Sequence, residues 1–530
     1  MHTMNQRSRL FINTPLGLVL LGGLAISALA SCGFAADSTP ARSITIYSSA
    51  QPGAIDPMMY RPVRAGVMGY NPYAYSQQRV PGYAVVREDR AVKIAQGRGE
   101  LRISDVAALI DPTTVSFKSL TDPSGTRVAD QNFQFDLVSN EKLLDRYIDK
   151  PITVVVQRGD QPGEVRGTLI SAQGGVLILR DQSGSIVTLN GYQSLELPAL
   201  PEGLITRPTL VWNTASTIGG DQTARITYQT EGVTWWADYN LVFSEGANAN
   251  KGTLDIGAWV SILNQSGASY GDARLKLVAG DVQRSPRDNN LAMRQMARSE
   301  VTESAGAPSF QEKSFFEYHL YTLSEPTTIP DSSTKQLELF APPRGVPCDK
   351  ILVFAGQDEN LWWGGEPLSE QTYGVQSKST VDVYLRFKND EKSGMGMPLP
   401  AGRIRVSKLD QDDGGLEFIG EDVIKHTPRN EQVLIRLGQA FDIVGERKQT
   451  DYRFDSGRNR IDETIEIEVR NRKAEPVQVV IKERMYRWTN WEFLGQTPPH
   501  EKLDARTVHF PVTIEANGKA TVKFTVRYSW

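Results

Sequence analysis

Cysteine is nearly absent: Cys32 and Cys348 are the only two in 530 residues. A disulfide scaffold is excluded, so the fold must rest on buried apolar surface, which a chain of this length can supply. Histidine is almost as scarce. His2 lies at the start, and His319, His426, His500 and His509 show neither H-E-x-x-H nor H-x-H spacing, so no zinc site is expected. A charge excess is also missing. The net charge of −4 carries no broad field of the kind that nucleic acid requires. No cofactor motif and no complete catalytic set is present, so no catalytic, cofactor-binding or metal-binding residue is assigned.

What is present begins with a targeting pattern. Arg7 and Arg9 precede an apolar stretch over residues 16–29. That length suits a signal-peptide core and falls short of the roughly 20 residues of a membrane span. Leu29-Ala30-Ser31-Cys32 follows and resembles the lipobox of bacterial lipoproteins. The resemblance implies cleavage before Cys32 and a diacylglycerol on its sulfur. Residues 1–31 are then the signal peptide and 32–42 a tether. Buried CH₂ groups contribute about 0.8 kcal/mol each, so several acyl chains anchor a protein without a spanning helix. By resemblance to Gram-negative lipoproteins, Gly33 in place of an aspartate after the cysteine favours the outer membrane over retention at the inner one. Ala28-Leu29-Ala30 and Gly33-Phe34-Ala35 offer ordinary cleavage sites, which would instead release a soluble periplasmic or secreted protein.

The remainder reads as an all-β protein. Alternating runs over 43–138 predict a small N-terminal β domain, with a Pro-, Gly- and Tyr-rich flexible insertion over 50–80. Ser139 can cap a short helix carrying Leu143, Leu144, Tyr147 and Ile148 on one face, and Pro151 ends it. Five short strands follow, separated by Gly-containing turns, so residues 139–198 are expected to form an SH3-like or Sm-like small barrel. Residues 198–208 read as a connector. From 209 to 530 strand follows strand, which predicts two Ig-like β-sandwiches. Residues 284–311 are polar, without strand pattern, and read as a mobile loop.

A family resemblance runs through this last region. It is carried by Gly232-Val233-Thr234-Trp235-Trp236-Ala237-Asp238-Tyr239, by Leu277-Val278-Ala279-Gly280-Asp281, and by Leu399-Pro400-Ala401-Gly402-Arg403. Gly438-Gln439-Ala440-Phe441-Asp442-Ile443-Val444-Gly445-Glu446-Arg447 and the closing Tyr528-Ser529-Trp530 continue it. Together they resemble the C-terminal domain, of unknown function 4139, of the mucoidy-inhibitor-like exported proteins. The resemblance implies an exported β protein and brings no activity. Better-known members often carry a coiled coil ahead of that domain, where this chain has the expected small barrel.

Motif-like fragments read better as turns. Gly267-Ala268-Ser269-Tyr270-Gly271 matches the G-x-S-x-G nucleophile pattern, but a strand rather than a helix follows it. Asp410, Asp412, Gly415 and Glu421 mimic calcium-loop spacing without flanking helices. The Trp235-Trp236 and Trp362-Trp363 pairs should each place one ring inward and one outward if they lie on strands. Trp362 and Trp363 stand in a loop beside Gly364-Gly365 and are the candidate binding residues. The expected function is therefore non-enzymatic binding or scaffolding in the cell envelope. The membrane is a partner through the lipid, and an envelope protein or glycan is the candidate ligand. The alternative is a carbohydrate-acting hydrolase using carboxylates such as Asp238, Glu421 or Asp442.

Overall fold

A computed structural model describes residues 41–47, 55–56, 59–60, 80–136, 138–158, 161–201, 204–280, 310–315, 318–357, 365–410 and 412–530. All belong to one compact unit, Pro40–Trp530. Cys32, Trp362 and Trp363 lie outside the described residues. So does most of the expected insertion over 50–80 and of the expected loop over 284–311.

The described residues are mostly β. Strands β1 (Arg42–Tyr47), β2 (Tyr83–Ile94), β3 (Gly97–Ser104), β4 (Ile110–Ser119) and β5 (Thr126–Gln134) precede helix α1 (Asn140–Arg146). Then come β6 (Pro151–Arg158), β7 (Gln161–Gln173), β8 (Val176–Arg180), β9 (Ile186–Leu189) and β10 (Ser194–Glu196). They are followed by β11 (Thr209–Ser216), β12 (Gly220–Glu231), β13 (Val233–Glu245), β14 (Lys251–Asn264) and β15 (Tyr270–Ala279). Next are β16 (Phe310–Phe315), β17 (Tyr318–Leu323), β18 (Thr327–Ile329), β19 (Ser333–Phe340), β20 (Val346–Phe354) and β21 (Thr380–Lys388). The last third holds β22 (Gly402–Leu409), β23 (Leu416–Ile424), β24 (Gln432–Asp455), β25 (Arg460–Asn471) and β26 (Val477–Arg484). It ends with β27 (Trp491–Leu494), β28 (Glu501–Lys502), β29 (Thr507–Ile514) and β30 (Lys519–Ser529).

The N-terminal strands do not pair among themselves alone. β1 runs parallel to β15, with Ser43 opposite Arg274 and Tyr47 opposite Val278, and antiparallel to β2. β2 lies along the whole of β12, and β4 takes the other side of β12. β11 sits between β3 and β5. Residues 43–138, expected as a domain of their own, are thus woven into sheets with residues 209–280. Ile44, Ile46, Val86 and Ile94 share one core with Trp212, Trp235, Tyr239, Ile256 and Val406.

β6 to β10 pair only with one another among the described residues, in the order β10-β6-β7-β8-β9. Their core is Ile152, Val154, Val165, Leu169, Leu177 and Leu179, closed by Leu144 and Tyr147 of the helix segment. The Ser139 side chain caps that helix by accepting the Lys142 amide at 3.3 Å. This sheet is open: no ladder joins β9 to β10, so the expected barrel is not closed by pairing.

In place of two Ig-type sandwiches, β13, β14 and β19 to β30 join one 14-stranded sheet, while β15 to β18 belong to the sheet of β1, β2, β12 and β4. Its central path runs β23-β22-β13-β14-β20-β21-β24-β25-β30-β27. The sheet curls, so that β23 and β24 approach without a ladder. The Asp422 carboxylate accepts the Arg436 amide at 2.7 Å, and a side chain at Gly420 would strike the Leu437 carbonyl. β24 to β30 enclose a second core around Phe354, Ile465, Val479, Phe510 and Phe524. Buried asparagines fasten strand ends in three places. Asn264, Asn389 and Asn471 each donate to the carbonyls of neighbouring turns and accept an amide in return.

Candidate binding face

Strict alternation along β13 sends Trp235, Ala237, Tyr239, Leu241 and Phe243 inward and Trp236, Asp238 and Asn240 outward. The neighbours extend that outer face. Trp236 stands opposite Ser261, Asp238 opposite Trp259, and Asn240 opposite Gly257. On the other side β22 contributes Arg403 and Arg405. β23 adds Val423, Glu421 and Phe418 opposite Arg403, Arg405 and Ser407. β19 brings Glu338 and Gln336 opposite Trp259 and Ser261.

The polar groups are bonded into a row. Trp236 Nε1 donates to Asp238 Oδ2 at 2.7 Å, and Ser261 Oγ donates to the same oxygen at 3.1 Å. Gln336 Nε2 donates to Ser261 Oγ at 3.1 Å. Arg405 stands between two carboxylates, 3.6 Å from Asp238 Oδ1 and 3.6 Å from Glu421 Oε2. Apolar surface lies open beside them: Trp259 is 38% exposed, Phe418 61% and Val423 48%. Gly257 leaves room next to the indole, whose Nε1 is 3.7 Å from where a Cβ would stand. A flat ring beside a carboxylate, a carboxamide and a guanidinium can stack on one face of a ligand and hydrogen-bond its edge.

Asp238 and Glu421, weighed on sequence as hydrolytic carboxylates, are therefore brought to one arginine. Asp442 is not part of this set; it lies exposed where β24 leaves β21, and its carbonyl accepts the Arg472 amide. Trp235 is core and packs edge-on against Tyr321. Trp236 is half-covered by Tyr60 at 5.5 Å. Sequence reasoning passed over Trp259. Its signal was the alternation Ala258-Trp259-Val260, which places the indole on the outer face of a strand whose neighbours point inward.

The other motif-like fragments are structural. Ser269 Oγ accepts the Asp331 amide, and Asp331 Oδ1 accepts the Gly267 amide, so G-x-S-x-G is the β14–β15 turn. Asp410 and Asp412 build the β22–β23 turn, with Glu421 up the ladder facing Arg405. Cys348 is buried, which pushes its thiol up to about 12 and keeps it protonated at neutral pH.

A buried charge network in the second core was also missed. Arg447 donates to Glu483 at 2.7–3.1 Å, and Gln357 donates to the same carboxylate at 2.8 Å. Arg487 donates to Glu463 at 3.1 Å, which also accepts from Gln449 and Tyr486. Both arginine side chains are fully buried. Burial works against their charge, yet the facing carboxylates leave both guanidiniums above the ordinary arginine value. Burial likewise pushes the Glu483 carboxyl up, with Arg447 pulling the other way. Arg487 also donates to the carbonyls of Leu368, Glu370, Gln371 and Tyr373, so it ties the segment between β20 and β21 over the core.

Residues 224–530 match the family described as a domain of unknown function, DUF4139. No curated protein and no solved structure matches the chain.

Proposed function

Because the chain belongs to the DUF4139 family, a domain of unknown function that brings no activity with it, we propose a function from the site itself: a non-enzymatic cell-envelope protein that holds a hydroxyl-rich glycan on the open face of β19, β14, β13, β22 and β23. The observation that carries this is Trp259, exposed beside the Asp238–Arg405–Glu421 row. An exposed indole flanked by planar polar groups suits a sugar ring, whose faces carry C–H and whose edge carries hydroxyls. The arrangement favours holding over cleaving. Asp238 Oδ2 is taken by Trp236 and Ser261, and Arg405 stands where a water or leaving group would have to lie between the two carboxylates.

The envelope setting rests on the N-terminal pattern: an apolar core, then Leu29-Ala30-Ser31-Cys32. Lipidation of Cys32 would tether the unit to the outer membrane. The likeness to mucoidy-inhibitor proteins supports export. The helix-plus-five-strand layout supports an SH3-like ancestry for residues 139–198.

The test is co-sedimentation of the protein with purified envelope polysaccharides, beside the Trp259→Ala and Arg405→Ala variants. Retained binding in wild type and loss in both variants is expected. Binding by Trp259→Ala equal to wild type would refute the site. Release of reducing ends, abolished by Asp238→Asn or Glu421→Gln, would replace the reading with hydrolysis. Alkyne-fatty-acid labelling that marks wild type and Cys32→Ala alike would refute the anchor.

A further inference from the structure

The five-stranded sheet of β6 to β10 carries a groove of about 430 Å³ that has no part in the face above. Its lining includes Thr153, Arg166, Thr168, Arg180, Gln182 and Glu196. The ladder register sets these in two rows: Glu196, Thr153 and Arg166 across β10, β6 and β7, and Thr168 with Arg180 across β7 and β8. The core side of the same strands is taken by Ile152, Val154, Val165, Leu169 and Leu179. Charge is not neutralised within the groove. Arg166 pairs with Glu164 at 2.8 Å, and Asp181 is used up by its own turn, accepting from Ser183 and Ser185. Arg180 and Glu196 have no side-chain partner among the described residues. They stand at opposite ends, with the Thr153 and Thr168 hydroxyls between them.

We propose that this groove binds a short peptide with free termini, its carboxylate on Arg180 and its amine on Glu196. A simple anion would leave Glu196 without a purpose, and a simple cation would leave Arg180 without one. The spacing fits. Arg180 on β8 and Glu196 on β10 are three strand steps apart and offset by two residues along the strands, about 16 Å at the backbone. An extended tripeptide spans about 10 Å between its termini. Two side chains leaning inward close the difference. The threonine hydroxyls meet the peptide groups in the middle.

The experiment is calorimetry or saturation-transfer NMR on the full chain, with trialanine, N-acetyl-trialanine and trialanine amide as probes. Trialanine should bind saturably, and each blocked form should bind about tenfold more weakly, the worth of one charge-assisted hydrogen bond. Arg180→Ala should erase the preference for the free carboxylate and keep that for the free amine. Glu196→Gln should do the reverse. Both residues are exposed, so thermal melting should stay at the wild-type value and separate lost binding from lost folding. Absence of saturable binding, equal binding of free and blocked probes, binding of acetate as tight as trialanine, or unchanged preference in both variants would each overturn the assignment.

Discussion

Arg487→Met tests what the buried network does. Arg487 is fully buried, and its two terminal nitrogens reach the carbonyls of Leu368 (2.9 Å), Glu370 (2.7 Å), Gln371 (3.2 Å) and Tyr373 (3.4 Å), and Glu463 Oε1 (3.1 Å). Its guanidinium also lies 4.9 Å and 5.0 Å from the ring centres of Tyr452 and Tyr486. Methionine keeps much of the stem volume but donates nothing. The variant strands a buried carboxylate and a run of carbonyls together. Removing one partner of a buried ion pair costs about 3–5 kcal/mol. At roughly 1 °C per kcal/mol for a unit of about 490 residues, melting should fall by about 3–5 °C. Arg487→Lys keeps the charge with fewer donors and no fork, so it should recover part of the stability. The local signature is hydrogen exchange. The Leu368 amide, bonded to the Arg487 carbonyl, and its neighbours up to Tyr373 should lose protection before the strands of the first core do. Melting within about 1 °C of wild type, or protection lost equally in β12 and β14, would refute the view that Arg487 ties this segment down.

Three further outcomes follow from single side chains. Ala401 donates its amide to His426 Nδ1 at 3.0 Å, and desolvation of the ring, in a residue that still reaches solvent, then His319, holds the His426 pKa below the ordinary 6.5. The unfolded chain therefore takes up this proton first, so stability is full above about pH 6.5 and falls as pH drops toward the depressed folded value. His426→Gln should flatten the urea midpoint against pH in that window, and an unchanged slope would show that another group carries it. Asn471→Ala removes donors from the carbonyls of Glu475, Ile514 and Glu515 and the acceptor of the Lys473 amide. It should cost about 2–4 kcal/mol in urea unfolding, and Asn471→Asp should do no better, because a carboxylate cannot donate. A Cβ at Gly445 would lie 2.2 Å from Phe354 Cε2. Gly445→Ala should therefore lose about 1–3 kcal/mol, and Gly445→Ala with Phe354→Leu should lose less than the two changes apart.

The all-β class was legible because the alternation is written in the residues. Along Arg460–Asn471 the inward places hold Ile461, Glu463, Ile465, Ile467, Val469 and Asn471. The same phase carried a signal that went unread. Glu463 and Asn471 sit where an apolar residue is due, as does Glu483 after Val477, Val479 and Ile481. A charged residue in inward phase marks a buried partner, and here the partners are Arg487 and Arg447. What alternation cannot say is which strand lies next door. It fixes the face of a strand and not its neighbour. β1 and β15 are parallel partners more than two hundred residues apart, and no local pattern announces that. The binding face was half legible for the same reason. Asp238 and Glu421 were picked out singly, and only the ladders through β22 bring them to Arg405 and set Trp259 beside them.

The family match and the first core do not share a boundary. The DUF4139 match begins at residue 224, inside β12, and leaves out β1, β2, β4 and β11. Yet β12 is covered on one side by β2 and on the other by β4, and β15 has β1 as its parallel neighbour. A protein cut to residues 224–530 would expose both edges of β12 and one of β15. It would also lose Ile44, Ile46, Val86 and Ile94 from the first core. At about 1.5–3 kcal/mol for each fully buried aliphatic side chain, these alone amount to about 6–12 kcal/mol. A whole domain is stable by only about 5–15 kcal/mol. Residues 224–530 alone should therefore aggregate through the bare edges, or show the first core unprotected from hydrogen exchange while β25, β26 and β30 stay protected. Residues 41–530 should melt with both cores intact. Adding back residues 41–138 as a separate chain should restore some protection along β12, because the lost strands carry the pairing edge. If residues 224–530 alone are monomeric and protected in β12 and β15 as in the longer chain, the N-terminal strands are an accessory layer and this account of the first core is wrong.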